Sequence, residues 1–578
     1  MTCMAKNPAM HVVTSKRRHK GREYETTLVR RSYRDGDRVR KQTLANLSHL
    51  PPEAIDAVRR ALRGETLVTA GEAMSIERSL PHGHVAAVLG VLRDLDVERL
   101  LARERCRERD LCVALICQRL LASGSKLSAT RMFAKTTLAD ELELGTVSER
   151  ELLGAMDWLL ARQDRIERTL ARRHLAADGY VLYDLSSSYL EGRCCPLAQI
   201  GYSRDGKRGS LQINYGLICA PDGRPVAIEL HAGNTGDPAT VPACAAAVAD
   251  RFAIERAVIV GDRGMLTDTQ IRHLKDRQIG FISALRAPQI AKLSVGPDFP
   301  LSVFDEYALA EISSPEFPGE RLIVCRNPAV AAERARKRAE LLAATERDLD
   351  KITASVSGPR GRLRGAPAAD IARRAGAVVD KHKMAKHFTL QIADGSFSYQ
   401  RKTAQIADEA LLDGLYVIRT DQPARQLTPQ AAVRSYKQLK VAEQAFRQLK
   451  GPELDIRPIY HHLEDRVRAH AFLCMLAYYV QFELTQRLAP LLYVDDSPTE
   501  TSNPVAPAHP SPAASAKTSS HHSADGHQLH TLADLLAELG TLIRSRVRLP
   551  ATGHSYHQLS QSTPLQARAL ELLGVTPT

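Results

Sequence analysis

Asp184, Asp262 and Glu443 are the residues of this 578-residue chain whose type and placement point most directly to chemistry. Asp184 ends the apolar run Tyr180-Val181-Leu182-Tyr183, and Asp262 ends a second run, Ala257 to Gly261. Strand ends are where α/β folds place their ligands. Glu443 lies in Arg434–Lys450, a stretch without Gly or Pro and rich in helix formers. Converging carboxylates repel one another, and a divalent cation offsets that repulsion. Three such groups suit Mg²⁺, which takes hard oxygen ligands. Tyr436, Glu443 and Lys450 recur every seven residues, which sets them on one helix face. With Lys437, Lys440 and Arg447 around them, that face suits a phosphate backbone. The plain alternative is an amphipathic helix with a solvated charged face. Each aspartate taken alone is more often a turn former. Arg263, directly after Asp262, either touches phosphate or makes a structural ion pair. Asp205 reads as a turn residue, and Asn234, Thr235 and Asp237 either shape the site rim or cap the next helix.

The elements that must position these groups form an α/β pattern. Tyr180–Tyr183, Leu211–Cys219 and Pro225–Leu230 read as an antiparallel meander, followed by a helix over Thr240–Arg251. Ala257–Gly261 is a fourth strand and Phe281–Leu285 a fifth. Between them Thr267 and Gln270 make a capping box for a helix over 268–278. The order β-β-β-α-β-α-β predicts a mixed five-stranded sheet flanked by helices. A basic insertion interrupts it: residues 326–387 hold 15 Lys/Arg against 7 Asp/Glu, which is either a DNA clamp or a charged helical excursion. Strand patterns return at 387–400 and Gly414–Thr420. In the glutamate helix, Leu439, Ala442, Phe446 and Leu449 form the apolar stripe that packs it onto the sheet. A second, strongly apolar helix spans Leu463–Arg487.

The flanks carry charge and partner information. The net charge of +13 and pI near 9.3 favour an anionic partner, and nucleic acid is the first expectation. Residues 1–65 alternate polar and apolar side chains around Asp35-Gly36-Asp37, which predicts a basic β-hairpin. It is either a DNA-contacting arm or a solvated hairpin. Residues 80–176 read as helical, over His84–Arg103, Asp110–Ala122 and Glu149–Leu175, with Trp158 in the core. The stretch from Leu115 to Ala134 resembles a helix-turn-helix in outline. Cys112 and Cys117 read as one face of a buried helix rather than a zinc pair. His461 and His462 read as a helix-start loop. Residues 495–528, rich in Ser, Pro and Ala, predict a disordered linker, and 529–548 a short helix. The N-terminus lacks a signal-peptide core, and the longest apolar run, Ala471–Val480, is about half a membrane span. The expectation is a protein of the cytoplasm, associated with the nucleoid, with no membrane partner. The domain reading is 1–78 basic arm, 79–176 helical DNA-binding domain, 177–325 and 414–494 the two parts of the catalytic core, 326–413 the insertion, 495–528 linker and 529–578 helical tail.

Asp184, Asp262 and Glu443 form an ordered Asp-Asp-Glu series, and Tyr436 and Lys450 flank the glutamate. The chain resembles the DDE transposases of bacterial insertion sequences that carry a Tyr-x2-Arg-x3-Glu-x6-Lys signature. VLYDLSSSYLEG, GYSRDGKRGSLQINYGL, GNTGD, VIVGDRGM and YKQL..AEQAFRQLK look like the insertion-sequence-1634 group, in order, from about residue 10 to 490. Leu439 stands where relatives carry Arg, with Lys440 beside it. The resemblance implies a ribonuclease-H-like core that holds two Mg²⁺ ions, with Mn²⁺ as a substitute, on Asp184, Asp262 and Glu443. It implies that Tyr436 and Lys450 hold the DNA strand beside the cut, and that Lys440, Arg447 and Arg263 meet phosphate. The implied activity is cut-and-paste transposition: cleavage of double-stranded DNA at terminal inverted repeats, then joining of the 3′ ends to target DNA. Two protomers would pair the two ends, and in relatives a hairpin forms on the transposon end. Two rival expectations are a catalytically inactive DNA-binding relative and a metal-dependent nuclease of the same fold without strand transfer.

Overall fold

The computed structural model describes residues 10–65, 74–176, 179–192, 194–294, 309–452, 454–495, 504–505, 510–550 and 552–578. The chain divides into two compact units, Met1–Leu80 with Arg544–Ser560, and Pro81–Ile543 with Gln561–Thr578. Cys3 and the rest of residues 1–9 lie outside the described residues, as do residues 496–503 and 506–509 of the linker predicted over 495–528.

In the first unit, β1 (Met10–His19), β2 (Arg22–Asp35) and β3 (Arg38–Asn46) form a three-stranded antiparallel sheet. Gly36, at φ +60°, turns β2 into β3. The sheet buries Thr27, Val29 and Leu47 and leaves every residue of β3 exposed. Helix Pro52–Leu62 packs on β1. The strand β4 (Ser75–Pro81) belongs to a second small sheet whose other strands come from the C-terminal end of the chain.

The second unit holds the large mixed sheet. Its strands are β5 (Tyr180–Tyr189), β6 (Gln199–Ile200), β7 (Leu211–Cys219), β8 (Pro225–Ala232), β9 (Val258–Val260), β10 (Gly280–Ala284), β11 (Leu309–Ile312) and β12 (Arg321–Arg326). Beyond the insertion hairpin β13 (Phe388–Ala393) and β14 (Ser396–Arg401), β15 (Leu415–Thr420) returns to it. The order is β11-β12-β15-β10-β9-β5-β7-β6, with β8 also on β7. The sheet has nine strands rather than five, because β6, β11, β12 and β15 extend it at its edges. β9 runs parallel to both β5 and β10, and the remaining pairs are antiparallel. Strand β9 is a continuous apolar run, and β7 is buried along almost its whole length, Gln212 and Asn214 included.

Several local expectations are corrected. Thr267 caps helix Asp268–Asp276 without bonding its backbone, and its hydroxyl contacts the Gln270 carboxamide instead of forming a capping box. Glu149–Leu175 is two helices, Glu149–Leu160 and Gln163–His174. The first has a full capping box from Ser148 and Glu151. The region read as Thr240–Arg251 is a short α-helix, Val241–Ala246, with a 3₁₀ turn before it and a π turn after it. Residues 512–520, read as linker, form a helix capped by the Ser511 hydroxyl. The tail is not simply helical. Helix Leu532–Gly540 is followed by β16 (Ile543–Arg548) and β17 (Ser555–Leu559), which extend the sheet of β4, and by helix Pro564–Leu573.

The insertion carries its own core. Helix Pro328–Ser357, thirty residues long, packs on Ala368–His382 and β14 through Leu342, Leu349, Ile371, Val379, Phe388 and Phe397. Elsewhere in the unit, helix Glu464–Leu488 is apolar all round through Ala471–Val480 and buried there, packing against Arg107–Leu121, Glu149–Leu160 and β8. No single helix among the described residues is long and apolar enough to cross a membrane.

Candidate active site

The structure moves Asp184 from a strand end to mid-strand. β5 runs on to Tyr189 because Ser186, Ser187 and Ser188, which read as loop by polarity, are buried and paired along β7. Asp184 lies opposite Leu217, and the Leu185 N–H donates to its Oδ1 at 2.8 Å. Beside it the Tyr183 phenol lies against Gly216, where a Cβ would stand 2.4 Å from the phenol oxygen, so a side chain there would displace the buried ring. Asp262 follows β9 by two residues, is exposed, and accepts the Gly264 N–H at 3.1 Å.

Glu443 comes from helix Leu439–Lys450. Leu439, Ala442, Ala445, Phe446 and Leu449 are buried and dock it on the sheet. Each large side chain so buried stabilises the contact by about 1.5–3 kcal/mol. Phe446 meets Tyr215 of β7 edge-on, with ring centroids 5.7 Å apart, and Tyr215 is itself fixed by Ser188 at 2.9 Å. Glu443 sits on the free face, 61% exposed, with Arg447 at 3.7 Å. The single helix expected over Arg434–Lys450 is broken at Gln438, where the Val441 N–H bonds the Gln438 carbonyl in a tightened turn. Tyr436 lies before that break, on helix Pro429–Lys437, so the seven-residue spacing does not place it on the Glu443 face of one continuous helix. It is half-buried beside Asp262, and burial followed by the Asp262 charge raises its phenol well above the ordinary range.

The Asp184 carboxyl senses the other two. Burial pushes the Asp184 carboxyl up to about 6. The Leu185 N–H bond and Arg204 oppose that rise, and the negative charges of Glu443 and Asp262 add to it. Among the described residues no three His, Cys, Asp or Glu side chains converge closely enough to hold an ion as they stand. The donor set still fits a hard cation: all oxygen, all of one sign, and two of the three exposed.

A cleft of about 500 Å³ opens between β5, the 204–205 loop and the glutamate helix, lined by Asp184, Glu443, Arg447 and Lys450. Asp262 and Tyr436 are not in its lining. Lys450 is not free on its helix face. Its ammonium bonds Asp205 Oδ1 at 2.8 Å, and Arg457 bonds the same oxygen. Burial lowers the Lys450 amine, and Asp205 opposes that shift. Lys440, Arg447 and Arg263 are exposed. Sequence read Asp205 only as a turn residue and did not single out Arg204 or Arg457. Asp205 has a side chain 2% exposed and is more than a turn residue, while Arg204 pairs with Asp237 at 2.5 Å. The density of charge in GYSRDGKRG was the available signal, but nothing in the spacing ties it to Lys450.

Residues 12–72 match the family model for the IS1634 family transposase, N-terminal domain, and residues 188–480 match the model for the transposase DDE domain. The second match spans half of the chain and contains Asp262 and Glu443, with Asp184 four residues before it. No curated protein matches the chain. Among solved structures, the cryo-EM structure of a piggyBac transposase synaptic complex with hairpin DNA is similar at a TM-score of 0.32 and 9% identity, over 79% of this chain and 76% of that one. With matches to both family models in chain order, the chain belongs to the DDE transposases as an IS1634-like member.

Proposed function

We propose that this transposase cuts DNA at the ends of its element and joins the 3′ ends to target DNA by in-line phosphoryl transfer at Asp184, Asp262 and Glu443. The observation that carries this reading is that residues distant in sequence are brought together, with Asp184 and Glu443 lining one cleft and Asp262 following β9, the strand paired with β5. The order β8-β7-β5-β9-β10, antiparallel on one side of β5 and parallel on the other, supports a ribonuclease-H-like core within the larger sheet.

The three carboxylates would hold two Mg²⁺ ions, or Mn²⁺ in their place. When bound, such ions activate the attacking oxygen and neutralise charge on the leaving one. The chain's own part is positional. The stripe from Leu439 to Leu449 fixes Glu443 toward the cleft. Asp205 anchors Lys450 where a phosphate would enter, and Tyr436 stands beside Asp262 to face the strand next to the cut. Lys440, Arg263 and Arg447, the last beside Glu443 at 3.7 Å, are exposed and would take phosphates. The basic sheet of residues 10–46 and the insertion around helix Pro328–Ser357 supply further cationic surface for double-stranded DNA. Two protomers would pair two ends at the bacterial nucleoid.

Incubation of labelled end DNA with Mg²⁺ tests the reading. Cleavage followed by joining is expected from the unaltered chain. Asp184→Ala, Asp262→Ala and Glu443→Ala are expected to bind without cutting. Cleavage that survives Glu443→Ala sinks the site, and cleavage that never leads to joining reduces the protein to a nuclease.

A further inference from the structure

We propose that a second, cationic cavity, at the corner where helix Arg107–Leu121 meets helix Lys126–Phe133, binds a phosphate group. The two helices bend by 93° there, and the segment 454–463 closes the corner into a space of about 330 Å³. Lys126 and Arg119 line it with 5% and 3% of their surface exposed. Lys126 has no hydrogen-bond or ion-pair partner among the described residues. Arg119 spends its guanidinium on neutral acceptors: the Leu454 and Asp455 carbonyls at 3.3 Å, Ser123 Oγ and His470 Nδ1 at 3.4 Å. Its nearest carboxylate, Asp455, stands 4.0 Å away, and its Nε is unpartnered.

A buried ammonium without a counter-charge is costly; burial, then the Arg119 charge, lowers the Lys126 amine to about 7, and an anionic ligand in the cavity would hold it charged. The carboxylates on the lining do not supply it. Glu149 is exposed, and the Asp455 side chain is 42% exposed. Arg466 adds a third cation, shared with Asp157 at 3.5 Å. His461 and His470 are held neutral by burial and by Arg119 and Lys126, so they add N–H and lone-pair sites but no negative charge. Lys126 also opens its helix behind the Ser125 cap, where the helix dipole favours an anion. Compact, multiply charged and hydrogen-bond accepting, phosphate fits this lining better than a carboxylate does.

The group comes either from a DNA backbone or from a free phosphate. Arg457 faces the Asp184–Glu443 cleft, and Pro458, one residue on, lines the cationic cavity, so one segment separates the two sites. The inference does not rest on the metal reading, and its test is run in EDTA.

Equilibrium dialysis with labelled inorganic pyrophosphate, and fluorescence anisotropy with a labelled single-stranded 12-mer (an arbitrary length of about 12 nucleotides), distinguish the sources. Lys126→Met keeps volume and burial and removes the charge. Lys135→Met removes an exposed cation from the end of the same helix. We expect Lys126→Met to weaken binding by about tenfold or more, and Lys135→Met to leave it unchanged. Loss of pyrophosphate binding in Lys126→Met assigns a free-phosphate site, and loss confined to the 12-mer assigns a backbone site. Equal binding by both variants, or no binding of either probe by the unaltered chain, overturns the proposal. On the unaltered chain, bound pyrophosphate or 12-mer should also slow acetylation of Lys126, read by peptide mass spectrometry. An unchanged rate with both probes overturns the site even if Lys126→Met does not fold.

Discussion

Two aspartates line the same cleft in opposite states. Asp205 is almost fully enclosed and spends one oxygen on two cations, Lys450 and Arg457. Asp184, half-buried nearby, has one backbone N–H on its carboxylate and faces the negative charges of Glu443 and Asp262. A carboxylate answered by fixed cations is already neutralised, and its contribution is to hold the fold. A carboxylate raised by burial, and further by neighbouring carboxylates, still lacks a positive charge, which a soluble cation or substrate can bring. The cleft therefore separates a closed charge cluster that positions Lys450 from an open one that can do chemistry.

The sharpest way to break that distinction is to remove the charge from each aspartate in turn. Asp184→Asn should lower end cleavage by about 10³-fold or more, equivalent to roughly 4 kcal/mol of barrier. Thermal stability should stay level or rise, because a strained charge is gone. Asp205→Asn should do the reverse, leaving Lys450 and Arg457 side by side with no counter-charge. We expect a loss of about 3 kcal/mol in urea unfolding, set at the low end because the Arg457 side chain is 34% exposed. Adding Lys450→Met to that variant should restore part of the loss. If Asp205→Asn abolishes cleavage at undiminished stability, Asp205 belongs to the open cluster and the comparison fails.

Added metal sharpens the same contrast at smaller amplitude. At a hundredfold excess over its dissociation constant, Mg²⁺ should stabilise the chain by about 2.7 kcal/mol, read as a rise in melting temperature. The rise should vanish in Asp184→Asn and persist in Asp205→Asn, since the closed cluster already holds its cations. An equal rise in both variants would place the ion elsewhere.

Much of this was legible in residue order, for reasons that differ by element. The strands Leu211–Cys219 and Leu415–Thr420 showed themselves because buried strands are apolar runs. The glutamate helix showed itself through its stripe. What stayed hidden depends on contacts between distant segments. Ser186–Ser188 look like loop because polarity, taken locally, predicts exposure, yet β7 pairs with them and covers them. The break at Gln438 leaves no Gly or Pro mark. Asp205 and Lys450 are both ordinary surface types, and nothing in the chain shows that folding brings them within 2.8 Å. The tail strand β16 was missed because one of its partners, β4, lies most of the chain away.

The smallest effect concerns Leu439, the position where relatives carry arginine. From the sequence, Leu439→Arg reads as a gain that restores a phosphate contact. In the structure Leu439 is 9% exposed and belongs to the stripe that seats the glutamate helix. An arginine there must either bury its charge or thread its stem past Lys440 to solvent. We therefore expect a loss of about 1–2 kcal/mol in stability and no gain in end cleavage. The mechanism matters for the comparison. If the new guanidinium reaches Glu443, it would do to that carboxylate what Lys450 and Arg457 do to Asp205, turning the open cluster into a closed one, and cleavage should fall further than the stability loss alone accounts for. A rise in cleavage instead would mean that the helix has room to turn, and that Lys440 and Arg447 do not already supply the cation at this edge of the cleft.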